Sequence, residues 1–260
     1  GGQGKWHCGQ LLKSDVAVLA GVYDIDPVKQ QQAKGAGIHT YASFEEVLGD
    51  KSVEAVTVVT PNDCHKELVI RALEAGKNVI CEKPVEMSVA AFDEMAKAAE
   101  RSGKLFTVHQ NRRWDVDFLA MKKIVDSGEI GGLLNIESRV HGSRGIPSDW
   151  RCHKQYGGGM LYDWGIHLID QVMQILTAPV TKIDCRFDHI TNEEVDDGFR
   201  LDMTFADGKT AYVEVGTYNF IAMPRFYLRA KKGSAMITDW REECRVVKCT
   251  HWHENEVLPV

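Results

Sequence analysis

The chain has 260 residues, enough for one large domain or two ordinary ones. Its 31 Lys and Arg stand against 37 Asp and Glu, a net charge of −6, which argues against the basic face that holds a nucleic-acid binder to phosphate. A hydrophobic fraction of 44% with 26% charged residues is too apolar for a disordered chain, and no window nears the ~18 uninterrupted apolar residues of a membrane span.

No secretory leader is read at the start. The seven cysteines (Cys8, Cys64, Cys81, Cys152, Cys185, Cys244 and Cys249) are odd in number, scattered and without a C-x-x-C pair. Disulfide scaffolds and structural zinc sites need paired, regular spacings, so these are expected to be thiols in a reducing cytoplasm.

The first half alternates apolar runs with helical patterns. Strands are predicted at Val16–Tyr23, Ala55–Thr60, Asn78–Cys81 and Lys104–Val108, each nearly continuously apolar, as strands buried on both faces of a parallel sheet should be. Between them, Pro27–Lys34 reads as a helix capped by Asp26, Glu67–Ala75 as one ending at Gly76, and Ser88–Ser102 as one running from a serine cap to Gly103. Strand and helix in alternation predict a parallel, doubly wound sheet.

Near residues 108–115 the pattern changes, which divides the chain into a domain over 1–110 and another over 111–260. A helix at Val116–Ser127, a strand at Leu134–Ser143 and a helix at Asp163–Leu176 precede strands at Lys182–Phe187, Phe199–Phe205, Thr210–Gly216 and Phe226–Ala230. Asp207-Gly208 is a hairpin signal, so an α+β domain with an open, mainly antiparallel sheet is expected.

Gly1-Gly2-Gln3-Gly4, followed by a helical stretch over Lys5–Lys13, fits the end of a G-x-G-x-x-G turn, with Gly1 and Gly4 as its last two glycines. Such glycines let backbone approach a pyrophosphate and let the helix pack on its strand. The motif's first glycine and the strand before it are absent. That strand lies in mid-sheet, so the sequence is expected to belong to a longer protein.

Asp24 ends the second element twenty residues after Gly4, where an acid accepts hydrogen bonds from the adenosine ribose; a loop acid is the bland alternative. It would repel a 2′-phosphate by ~4 kcal/mol at ~4 Å and an effective dielectric of ~20. Neither Ile25 nor Asp26 offers a cation in compensation, so NAD is favoured over NADP.

Four further clusters carry chemistry: Thr60-Pro61-Asn62-Asp63-Cys64-His65, Glu82-Lys83-Pro84, Asn111-Arg112-Arg113-Trp114, and the run from Gly157-Gly158-Gly159 through Asp163, Gly165 and His167 to Asp170. With E-K-P after a strand and G-G-G-x-L-x-D-x-G-x-H-x-x-D behind it, the chain resembles the glucose–fructose oxidoreductase / inositol dehydrogenase / MocA family over essentially its whole length. That resemblance implies an NAD-binding Rossmann domain followed by a substrate and oligomerisation domain, and a homo-oligomer is expected. It also implies that Lys83 contacts the reacting hydroxyl and the nicotinamide ribose, and that Asp163 and His167 face the substrate. Thr60, Asn62 and His65 are then near the cofactor and Glu82 on its nicotinamide side.

The residues make chemical sense on their own. Oxidising a secondary alcohol removes a hydride and a proton; the cofactor takes the first, and the protein must orient the substrate and accept the second. Histidine, with an ordinary pKa near 6.5, suits that task. His167 is therefore the expected acid/base, with Lys83 stabilising alkoxide charge and Asp163, four residues before His167, as its orienting group.

Arg112, Trp150 and Tyr156 are expected to bind a polyhydroxylated substrate, a sugar, glycoside or cyclitol; Arg112 and Arg113 could equally clamp structure. No nucleic-acid or membrane partner is expected. Asp163, His167 and Asp170, or Cys249 with His251 and His253, superficially suggest a metal, but the chemistry needs none and no metal is expected. An inositol-type dehydrogenase of the same family is the main alternative, and a nucleotide-binding regulatory or scaffold protein without turnover is the alternative from another class.

Overall fold

The computed structural model describes residues 1–249, which fall in two compact units, Gly1–His109 and Gln110 onward. In the first unit the elements are α1 (Gly2–Leu11), α2 (Pro27–Gly35), α3 (Phe44–Gly49), β1 (Ala55–Val58), α4 (His65–Glu74), β2 (Asn78–Cys81), α5 (Val89–Ser102) and β3 (Phe106–Val108). Three strands make a parallel sheet in the order β1-β2-β3, with Val56 opposite Val79 and Ile80 opposite Thr107. Val69, Leu73, Val79, Cys81, Met95 and Ala98 are buried in one core, where each large side chain contributes roughly 1.5–3 kcal/mol relative to exposure.

Helix boundaries follow local chemistry. Asp26 accepts a hydrogen bond from Val28 N and Ser88 from Ala91 N, each satisfying a first-turn donor of its helix. Gly103 stops α5 at φ 63°, a conformation that costs a glycine little.

One predicted strand does not form. Val16–Tyr23 contains a single bridge, Val22 to Thr40, and Val16 and Val18 are 90% and 93% exposed. An apolar run becomes a strand only when a neighbour takes up its hydrogen bonds, and among the described residues nothing pairs with 16–21. The strand predicted over Ala55–Thr60 ends at Val58, because the chain then enters a 3₁₀ turn at Asn62–Cys64; that predicted from Lys104 begins at Phe106.

The second unit holds α6 (Val116–Ser127), β4 (Leu133–His141), α7 (Ile166–Ile175), β5 (Val180–Asp188), β6 (Gly198–Phe205), β7 (Thr210–Gly216), β8 (Phe226–Ala230), β9 (Gly233–Ile237) and β10 (Arg245–Lys248). The seven-stranded sheet runs β10-β9-β8-β4-β7-β6-β5. All pairs are antiparallel except β4 with β7. The Asp207-Gly208 turn joins β6 to β7 as expected, with Gly208 at φ 81°. Phe118 and Met121 of α6 and Leu168 and Val172 of α7 share one buried cluster with Ile136, Val213 and Phe226 of the sheet.

α7 is shorter than the predicted helix. Its approach, Leu161–Gly165, is a turn of π-helix. The start of that turn is held from a distant segment: Met160 N donates to the carbonyl of Asp196 and Leu161 N to its carboxylate. No local signal announces this anchor. The expected face of Cys249, His251 and His253 lies largely outside the described residues.

Candidate active site

At the cofactor end, Gly1 nitrogen lies 3.9 Å from Asp24 Oδ2, so the glycine turn and the acid after the second element are neighbours. α1 has no side-chain cap, and a Cβ on Gly1, Gly2 or Gly4 would meet nothing within 4 Å. Uncapped first-turn N–H groups and an Asp24 side chain 30% exposed are groups that could hold the pyrophosphate and ribose of a dinucleotide. The close packing expected at Gly4 is not present, because no strand lies against it among the described residues. Lys29 supplies the cation missing from positions 25 and 26: its Nζ is 3.9 Å from Asp24 Oδ1 and 3.7 Å from Asp26 Oδ2.

The sheet gathers the next residues. Thr60, Asn62 and His65 follow β1, Glu82 and Lys83 follow β2, and His109 follows β3, so all sit beyond carboxyl ends of parallel strands, where open α/β sheets bind ligands. Asn62 and His65 are buried and Thr60 is exposed. The His65 ring faces two backbone carbonyls, Pro84 O at 3.0 Å from Nδ1 and Thr60 O at 3.1 Å from Nε2, and so ties the 60–65 loop to the Glu82-Lys83-Pro84 turn. The Lys83–Pro84 peptide is cis.

Glu82 is 7% exposed. Its Oε1 accepts hydrogen bonds from His7 Nε2 (2.7 Å) and His109 Nδ1 (3.0 Å), and its Oε2 from Lys83 N (3.2 Å). Burial opposes its charge, but the hydrogen bonds from His109 and His7 outweigh that and hold the carboxyl well below its ordinary value. His7 and His109 are absent from the residues singled out in the sequence. They lie 75 and 27 positions from Glu82, and no spacing rule joins them.

In the second unit, His167 is 5% exposed on the first turn of α7, with its ring edge-on to Trp164 at 6.1 Å. Asp163 Oδ2 is 3.1 Å from Arg151 Nε. Arg151 also reaches Asp149 Oδ2 at 2.7 Å and stacks over Trp150 at 4.6 Å, so Trp150 belongs to the same wall as Asp163. Arg112 lies over Trp164 at 4.2 Å and donates to Asp115 Oδ2 at 2.9 Å, while Arg113 grips Asp170 with two bonds. Tyr156 contacts the exposed ring of His153.

The glycine run shapes this wall. A Cβ on Gly158 would stand 2.2 Å from the carbonyl oxygen of Arg151, and Gly159 holds φ 106° with Asp196 Oδ1 2.2 Å from where its Cβ would be. Only glycine brings the Arg151 loop this close to the helix that bears Asp163 and His167. Beside it, a cavity of about 390 Å³ is lined by His141, Arg144, Trp164 and Val215 among others. His141 and Arg144 were not singled out in the sequence, where one follows an ordinary strand pattern and the other sits in a loop. The Glu214 carboxyl, with His141 Nε2 at 3.5 Å, is held below its ordinary value chiefly by that imidazole.

A parallel sheet with its polar residues beyond the strand ends, followed in sequence by an open sheet behind a histidine-bearing helix, is a two-unit α/β architecture of the kind that binds nucleotides at the strand ends. Residues 1–110 match a family described as "Oxidoreductase family, NAD-binding Rossmann fold", and residues 118–236 match the GFO/IDH/MocA C-terminal domain. The chain belongs to the GFO/IDH/MocA oxidoreductase family.

Among its relatives, an uncharacterized oxidoreductase of Schizosaccharomyces pombe is 38% identical over 74% of this chain and 54% of its own length. The scyllo-inositol 2-dehydrogenase (NADP(+)) IolW of Bacillus subtilis is 31% identical over 74% of this chain and 53% of its own length. The crystal structure of an NAD-binding protein from Listeria innocua superposes with a TM-score of 0.93 at 46% identity, covering 95% of this chain and 71% of that one. The chain thus spans about half the length of these two sequence relatives.

Proposed function

We propose that the protein oxidises a secondary hydroxyl of a sugar, glycoside or cyclitol with NAD, and reduces the corresponding ketone in reverse. The observation that carries this reading is the position of Glu82 and Lys83 directly beyond the carboxyl end of β2, the middle strand of the parallel sheet. A relative that acts on scyllo-inositol supports a cyclitol or sugar as the substrate class.

When bound, the dinucleotide supplies the hydride acceptor. The chain's own residues do the rest. Lys83 presents an ammonium to the oxygen as alkoxide charge develops, which lowers the barrier where charge is changing. His167 accepts the hydroxyl proton, with Trp164 against its ring and Asp163 fixed by Arg151 one turn earlier. Arg112, Trp150 and Tyr156 offer donors and aromatic faces to the hydroxyl edges and C–H patches of a polyol.

Asp24 supports NAD, since a carboxylate repels a 2′-phosphate. Lys29, 3.9 Å from that carboxylate, and the NADP(+) of the Bacillus relative give NADP a specific claim as the second reading. The test is absorbance at 340 nm with NAD and with NADP against inositols, hexoses and glycosides. Reduction of NAD by at least one of them, faster than of NADP, is expected. NAD binding without turnover on any polyol would favour a non-catalytic role instead.

A further inference from the structure

From the two imidazoles that converge on Glu82 Oε1, we infer that His7, Glu82 and His109 form a binding site for a divalent cation of the zinc class. Their donor atoms, His7 Nε2, one Glu82 oxygen and His109 Nδ1, all lie within 4.8 Å of one another. The side chains are 15%, 9% and 25% exposed, so the cluster is largely withdrawn from water yet open on one side. The inference stands on these three residues and does not depend on the dehydrogenase reading.

The donor set selects the ion. Two imidazoles and one carboxylate suit zinc, cobalt, nickel and copper, whereas magnesium and calcium prefer oxygen alone. Tetrahedral zinc with bonds of about 2.0–2.1 Å holds its donors about 3.3 Å apart. The two nitrogens stand 2.7 and 3.0 Å from Glu82 Oε1, so admitting the ion takes an outward shift of a few tenths of an ångström there. Three protein ligands leave a fourth position for water or a ligand.

The surroundings are those of a held site. Glu82 Oε2 is occupied by Lys83 N, which orients the carboxylate and leaves Oε1 to the ion, as outer hydrogen bonds do around metal ligands. The Trp6 ring packs against both imidazoles, at 5.1 Å from His7 and 5.9 Å from His109, and forms an apolar wall. The ligands come from α1 and from the ends of β2 and β3, so the folded first unit assembles them in advance.

The experiment titrates Co²⁺, then Zn²⁺, into the chelator-stripped full chain and follows the visible absorption of cobalt. One equivalent of Co²⁺ is expected to give the intense visible bands of a four- or five-coordinate site without a thiolate charge-transfer band, and one equivalent of Zn²⁺ to displace it. His7→Ala and His109→Ala should each weaken Zn²⁺ binding at least 100-fold, with His7→Gln and His109→Gln as variants that keep the side-chain bulk. The combined Cys249→Ser, His251→Ala and His253→Ala variant should bind as the unchanged protein does. Absence of a stoichiometric visible band would overturn the site. So would binding undiminished by loss of either imidazole, or binding that disappears with residues 249, 251 and 253.

Discussion

Arg225 Nε lies 3.2 Å from Asp117 Oδ2, an ion pair whose side chains are 2% and 3% exposed. The guanidinium also donates to Ser138 Oγ at 2.6 Å and Gln171 Oε1 at 2.8 Å, and Gln171 Nε2 donates in turn to the carbonyl of Arg112 at 2.7 Å. Trp240 and Phe226 cover the cation. One buried arginine thereby joins α6, β4 and α7, and α7 carries His167. Burial pushes the Asp117 carboxyl up despite the adjacent Arg225, and draws Arg225 down to about 10.

Breaking such a pair on one side leaves a buried charge without compensation. Arg225→Ala is expected to lower the stability of the second unit by about 3–5 kcal/mol, read from the urea midpoint of its transition. An Asp117→Leu, Arg225→Met double variant, with an apolar pair in place of the ions, should regain most of that loss. A double variant no more stable than Arg225→Ala would show that the hydrogen bonds to Ser138 and Gln171, and not the charge pairing, hold the three elements together.

The proposed preference for NAD rests on Asp24. Asp24→Ala should raise the Kd for NAD tenfold or more, a loss of about 1.4 kcal/mol or greater, while NADP binding weakens less because a repulsion goes with it. Calorimetric titration with both cofactors reads the two changes. Unchanged NAD affinity would remove Asp24 from the ribose site.

Tyr41 and Asp50 make the first unit sensitive to pH at both extremes. Tyr41 Oη donates to Asp50 Oδ2 at 2.7 Å. Burial, with this bond, raises Tyr41 from 10.0 to about 12; the bond from Ser52, then that from Tyr41, lowers Asp50 from 3.8 to about 2. A lowered carboxyl contributes stability that is present above pH 3.8 and lost as the pH falls through about 2, and a raised phenol one that is present below pH 10 and lost as it rises through about 12. Asp50→Asn should flatten the acid limb of the melting temperature against pH, and Tyr41→Phe the alkaline limb. Limbs unaltered by these changes would place the pH dependence in other groups.

What could be read from the sequence tracks how local its causes are. Val116–Ser127 and Thr210–Gly216 form with the expected bounds because helix caps, periodicity and a two-residue turn lie within a few positions of them. The apolar run at Val16–Tyr23 looks equally persuasive, yet a strand is a property of two neighbours, and only Val22 finds one. α3, β9 and β10 went unread because their patterns are short. Glu82 and Lys83 in the first unit, and Asp163 and His167 in the second, stand in ordered motifs, whereas His7, His109, Arg225 and Asp196 act across long separations that only folding closes.

His167→Ala is the most direct measurement. Turnover at 340 nm with NAD and the best polyol from the panel should fall by about 10²–10⁴, the usual contribution of a general base, while the Kd for NAD changes less than twofold. A variant that keeps its turnover, or loses turnover and NAD affinity in equal measure, would contradict proton transfer by His167.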